Sequence, residues 1–160
     1  METAYIETTI PSYYVARLSQ SLSHAAKQAA TREWWDGGCS GLDLVTSLTT
    51  INEAGKGDKL MADERLRLLE PIKLLSLSDD ALEFARSLLV AEIIPAKAAS
   101  DALHIAVAAF HSIDYLVTWN FKHIANPFLR DRLRDAVDRA GFELPVMCSP
   151  EELLQNDEND

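Results

Sequence analysis

The sequence predicts an α/β fold in which a parallel sheet of four to five strands is flanked by helices. Short apolar runs alternate with longer stretches of helical period, the pattern left by strands joined through crossover helices. The 160 residues are 48% hydrophobic and 25% charged, the proportions of an ordinary globular domain. A chain this long buries roughly two-thirds of its unfolded surface, enough for one core without a disulfide or structural metal. Cys39 and Cys148 are the only pair available for a bridge, and nothing in the sequence requires one.

The strand candidates are Ala4 to Thr8, Asp43 to Ser47, Lys73 to Leu77, Tyr115 to Trp119 and Leu144 to Met147. Between the first two lies a helical region from about Ser12 to Trp35, which Asp36-Gly37-Gly38 should end. Helices are expected at Thr49 to Ala54 and Ala62 to Glu70. Another runs from Asp79 to Glu92, capped by Ser78, with Leu82, Ala85, Leu88 and Leu89 as its apolar face. Pro95 ends that run or opens the next. Ser100 to His111 is apolar nearly all round, so its helix should be buried. Asp101 and His104 then stand out as polar residues on one face of its first turn. Residues 128 to 141, with Arg130, Arg132, Arg134 and Arg139, read as a surface helix closed by Gly141.

Fifteen Lys and Arg against 25 Asp and Glu give a net charge of −10, the wrong sign for a protein that holds nucleic acid by neutralising many phosphates. Five of the acids, Glu151, Glu152, Asp157, Glu158 and Asp160, fall in a terminal segment with no Lys or Arg. Residues 1–150 are therefore read as a single domain and 151–160 as a mobile acidic tail. The segment Met1 to Tyr5 has neither the basic nor the apolar part of a secretion signal. No stretch approaches the ~20 apolar residues of a membrane span. These features predict a cytoplasmic protein that makes no membrane contact.

Ligands of open α/β sheets bind beyond the carboxyl ends of the strands. Glu7 ends the first strand, Glu53 follows the second by a short helical turn, Asp101 opens the buried helix, and Asn120 closes the apolar run Tyr115 to Trp119. Carboxylates gathered in a cleft repel one another and lose hydration, and such a cluster normally persists because a cation offsets the repulsion. Oxygen ligands point to Mg²⁺ or Mn²⁺. Each residue also has a structural reading. Glu53 completes Thr50-Ile51-Asn52-Glu53, which fits a helix capping box. Asp101 can serve as a first-turn acid on the helix dipole. Glu7 can be a strand-end carboxylate paired with Lys or Arg, and Asn120 a turn residue. His104 fits a hydrogen-bonded core histidine, and Trp34 and Trp35 fit anchors at a helix end.

The chain has no G-x-S-x-G, H-E-x-x-H or C-x-x-C, which removes support for serine-hydrolase, zincin and zinc-ribbon readings. Gly55-Lys56-Gly57-Asp58 lacks the earlier Gly and the final Ser or Thr of a phosphate loop. No Gly-rich cofactor loop follows the first strand, which disfavours a nucleotide-cofactor enzyme.

Taken in order, Tyr5-Ile6-Glu7-Thr8-Thr9-Ile10-Pro11-Ser12-Tyr13-Tyr14, Thr46-Ser47 with Asn52-Glu53, Asp101-Ala102-Leu103-His104-Ile105-Ala106 and Leu116-Val117-Thr118-Trp119-Asn120 resemble the PIN-domain family. Within it the chain looks most like VapC-type toxins of bacterial type II toxin–antitoxin pairs. The resemblance spans roughly residues 4 to 125. It implies a three-layer sandwich and an acidic, Mg²⁺- or Mn²⁺-dependent endoribonuclease site. Carried over by position, the metal-binding residues are Glu7, Glu53, Asp101 and Asn120, with Thr118 as a nearby catalytic hydroxyl. The commoner pattern has Asp at the first position and in the final Thr-x-Asp, so Glu7 adds a methylene and Asn120 loses a charge. One ion stays feasible because Mg²⁺ commonly needs one or two protein carboxylates plus water and phosphate.

The mechanism implied is RNA phosphodiester hydrolysis by a metal-activated water. The resemblance, together with apolar and aromatic residues such as Trp34 and Trp35 that a small single core need not cover, predicts a homodimer, and it implies a cognate antitoxin whose basic residues meet the acidic cluster. The competing reading is a PIN-like module with a lapsed site that acts through dimerisation or protein contacts.

Overall fold

The computed structural model describes residues 1–154. Its centre is a five-stranded, wholly parallel sheet. The elements run β1 (Thr3–Ile6), α1 (Thr9–Val15), α2 (Leu22–Glu33), β2 (Asp43–Ser47), α3 (Leu48–Ala54), α4 (Lys59–Leu69), β3 (Lys73–Leu75), α5 (Asp79–Val90), α6 (Ala99–Phe110), β4 (Tyr115–Val117), α7 (Arg130–Arg139), β5 (Val146–Cys148) and α8 (Pro150–Leu154). The expected α/β class is present, with helices on both faces of the sheet as in a three-layer sandwich.

Alternation along β1 explains the two helical layers. Successive strand side chains point to opposite faces, so Tyr5 enters one core while Ala4 and Ile6 enter the other. The first core packs Tyr5, Val45 and Leu116 against Phe84 and Leu88 of α5, Ile105 and Ala109 of α6, and Leu133 and Val137 of α7. The second packs Ala4, Ile6 and Val117 against Ile10 of α1, Trp34, Ala54 of α3 and Leu69 of α4.

Strand order is β3-β2-β1-β4-β5. The chain steps from β1 through β2 to β3 on one side, then crosses to the far side of β1 to lay down β4 and β5. Beyond the carboxyl ends of β1 and β4 the connections diverge in opposite directions and leave a crevice, the switch point at which such sheets bind ligands.

Several elements differ from their sequence-based expectation. The helical region expected from Ser12 to Trp35 divides into two helices, and Asp36-Gly37-Gly38, expected to end it, instead continues it as a wider π-helical turn over Trp34–Gly38. Arg32 donates from Nε to the Tyr14 carbonyl and from Nη2 to that of Ala16, while Gln28 takes the Arg17 carbonyl and the Ser19 N–H. These side chains of α2 satisfy the backbone groups freed where α1 stops. Pro11 lies in the first turn of α1, where no intrahelical N–H bond is needed. On α5 the Ser78 cap is present, its Oγ accepting from Ala81 N at 3.2 Å. The buried face there is Ala81, Phe84, Ala85 and Leu88, and Leu82 is 40% exposed.

The acidic segment is also partly structured. Glu151 to Leu154 belong to α8, and Leu153 and Leu154 pack against the second core. Gly38 permits that approach, since a Cβ there would lie 2.6 Å from Leu154 Cδ2. The domain therefore extends past the boundary expected at 150, and residues 155–160 of the expected tail lie outside the described residues. Among the described residues no helix is long and apolar enough to cross a membrane.

Candidate active site

Glu7 leaves the end of β1 and is 3% exposed. Burial of a carboxylate is costly unless hydrogen bonds replace its water, and here its Oε1 is well supplied. Thr118 Oγ1 donates to it at 2.6 Å, the Thr9 N–H at 3.1 Å, and the Thr9 hydroxyl as well. Thr118 directly follows β4, so this contact bridges the crevice where the connections after β1 and β4 diverge. Glu7 Oε2 makes no hydrogen bond among the described residues. The Lys or Arg partner considered for Glu7 is likewise absent among them.

Glu53 is not a helix cap. Helix α3 begins at Leu48, which puts Thr50 and Glu53 inside it, and the Thr50 hydroxyl donates to the Ile6 carbonyl at 3.1 Å. The capping-box reading fails because the hydroxyl and carboxylate turn towards β1 and α6 instead of the helix start. Glu53 Oε1 accepts from Thr8 Oγ1 at 2.7 Å and faces His104 Nε2 at 2.6 Å, and Oε2 accepts from Ser100 at 3.1 Å.

His104 is fully buried, with Nδ1 placed 2.8 Å from the Tyr5 hydroxyl, which lies 2.7 Å from Ser47 Oγ. Burial alone would favour the neutral ring. The Tyr5 oxygen and the Glu53 and Glu7 carboxylates outweigh it and raise the His104 pKa to about 10. Burial likewise works against the Glu53 carboxylate, but His104, Thr8 and Ser100 more than reverse this and hold its pKa at about 2. Both shifts favour the ion pair, in which His104 donates to Glu53 and to the Tyr5 oxygen. The core-histidine reading therefore accounts for only part of its role: it is a fixed cation inside the acidic cluster.

Asp101 occupies the first turn of α6, as expected, and its Oδ2 lies 3.1 Å from His123 Nδ1. Asp101 Oδ1 makes no hydrogen bond among the described residues. Asn120 donates its N–H to Thr118 Oγ1 at 2.9 Å and accepts from the His123 N–H through Oδ1 at 3.0 Å. Its side-chain oxygen thus builds the turn that delivers His123 to Asp101. His123 carried no signal in the sequence, because it meets Asp101 only through the packing of the β4–α7 connection on α6.

All five expected site residues line one rim, joined through Glu7, Thr118, Asn120, His123 and Asp101 on one side and through Thr8, Glu53 and His104 on the other. They do not close into one cage. Among the described residues no three His, Cys, Asp or Glu side chains are gathered so as to hold a metal ion. The oxygens left uncommitted are Glu7 Oε2 and Asp101 Oδ1. That donor set suits a hard cation that keeps most of its waters, the habit of Mg²⁺.

Trp34 is fully buried. It supports the second core, so it lends nothing to the expected dimer surface. No family model matches the chain, and no curated protein matches it.

Proposed function

We propose that the protein is a metal-dependent endoribonuclease of PIN type that hydrolyses RNA phosphodiester bonds. The observation that carries this reading is the contact of Thr118 with Glu7 across the switch-point crevice, which fixes one Glu7 oxygen and leaves the other uncommitted. Glu7 and Asp101 would hold Mg²⁺ or Mn²⁺, directly or through water. When bound, the ion supplies an activated water and offsets the charge developing on the phosphate. Thr118 and Thr9 orient Glu7, and His123 orients Asp101. Glu53 does not ligate in this reading: paired with His104, it braces α3 and α6 against β1.

The acidic rim and the net charge of −10 suit a partner that brings basic residues, which extends the proposal to a type II toxin with a cognate antitoxin. The homodimer expected from the resemblance belongs to the same proposal, and a monomer mass by light scattering at tens of micromolar would defeat that part.

The test is cleavage of single-stranded RNA by purified protein with Mn²⁺ or Mg²⁺, its loss in EDTA and its loss in Glu7→Gln. Cleavage that survives either change overturns the site. The second reading, a non-catalytic binding module, draws on the Glu53–His104 pair, which offsets part of the carboxylate repulsion without any metal. A folded protein inert with both ions would favour it.

A further inference from the structure

Beside the acidic rim, Trp119 of the second core joins an aromatic stack that reaches the surface at Phe121. Trp119 is 6% exposed and lies parallel to Tyr13, with ring centroids 5.8 Å apart and 14° between planes. Its indole N–H donates to Thr31 Oγ1 at 2.8 Å, and that hydroxyl donates on to the Lys27 carbonyl. Trp119 is therefore locked to α2. Phe121 stands edge-on to Trp119 at 5.9 Å and is 43% exposed. Lys27 Nζ sits 5.4 Å from the Phe121 centroid and 5.5 Å from that of Trp119, and it has no carboxylate partner among the described residues.

The stack is wired to the rim. The backbone N–H of Trp119 donates to Thr9 Oγ1, the same hydroxyl that donates to Glu7. We infer that Phe121 and Lys27 form a nucleotide subsite for single-stranded RNA, with an unpaired base stacking on Phe121 and its phosphate meeting Lys27. A chain of charge −10 cannot gather RNA by general attraction. Stacking requires no charge, and an aromatic ring beside a cation without an acidic partner offers, for one nucleotide, the two elements that single-strand binders repeat along a groove. This subsite takes its polymer from the ribonuclease reading, and it restricts the substrate to unpaired strands, because a base within a duplex has no free face to offer.

The experiment is fluorescence anisotropy of a labelled single-stranded oligoribonucleotide in EDTA, so that binding is read without cleavage. Wild type should bind it better than the matching duplex. Phe121→Ala should weaken binding about 5- to 150-fold, the range for losing one base–aromatic stack, while Phe121→Trp retains it. Lys27→Gln should weaken binding and lower the salt dependence by about one phosphate contact, roughly 0.7 in the logarithmic slope. Equal affinity of wild type and Phe121→Ala, equal affinity for duplex, or no binding by wild type would overturn the subsite. So would a result in which Phe121 matters only for capturing a protein partner. Wild type that binds through Phe121 yet never cleaves with Mn²⁺ supports the subsite and defeats the nuclease reading alone.

Discussion

The Thr118 hydroxyl donates to Glu7 Oε1 at 2.6 Å, although the two residues are 111 positions apart. They directly follow the two strands at which the sheet order reverses, so one hydrogen bond both bridges the crevice and fixes Glu7 beside it. Thr118→Val keeps the shape and removes the donor. A buried carboxylate deprived of one donor should lose about 1–3 kcal/mol, which corresponds to a drop of roughly 2–10 °C in melting temperature for a chain of this size. Thr118→Ser should restore most of it. A melting temperature unchanged in the Val variant would show that the bond contributes nothing.

Breaking the internal ion pair should cost more than losing a neutral contact. His104→Gln leaves Glu53 partly buried without its cation, and about 2–4 kcal/mol should be lost, somewhat under the penalty for a fully buried pair because Glu53 retains some exposure. In a double-mutant cycle with Glu53→Gln the two losses should be strongly non-additive. Additive losses would mean that the residues act separately.

The same pair sets a pH window. The Glu53 pKa is lowered on folding from 4.5 to about 2, so its contribution is present above 4.5 and is lost as pH falls through that interval. The His104 pKa is raised from 6.5 to about 10, so its contribution is complete below 6.5 and disappears as pH rises towards 10. Thermal melts should place the pair's greatest contribution between pH 4.5 and 6.5. The difference between wild type and His104→Gln should shrink steadily from pH 6.5 to 10, and a constant difference would contradict a protonated His104.

Metal binding gives a separate signature. An ion that binds only the folded state stabilises it by about 2.7 kcal/mol at a hundredfold excess over Kd. Wild type should therefore melt several degrees higher in Mn²⁺, and Glu7→Gln and Asp101→Asn should show little of that shift. Without metal, Asp101→Asn keeps an oxygen towards His123 and loses only a helix-dipole interaction of about 0.3–1 kcal/mol. An undiminished shift in both variants would remove Glu7 and Asp101 from the ligand set.

The alternation of apolar runs with helical stretches in this sequence determined the α/β class, because a strand buried on both faces and an amphipathic helix differ in period before any tertiary contact forms. It also determined that Glu7, Asp101 and Asn120 fall just past strands or at a helix start, since those boundaries are local. Sequence could not show that Glu53 turns to His104, or that His123 reaches Asp101. Those partners are 51 and 22 residues away, and hydrogen bonds over such separations depend on how α3, α6 and the β4–α7 connection pack. Splitting of the first helical region escaped a local reading for the same reason, because Arg32 and Gln28 supply caps from the following helix. Only the tertiary structure decided the charge balance of the rim: setting His104 against Tyr5 and Glu53 raises its pKa despite its burial, and chain order does not encode that juxtaposition.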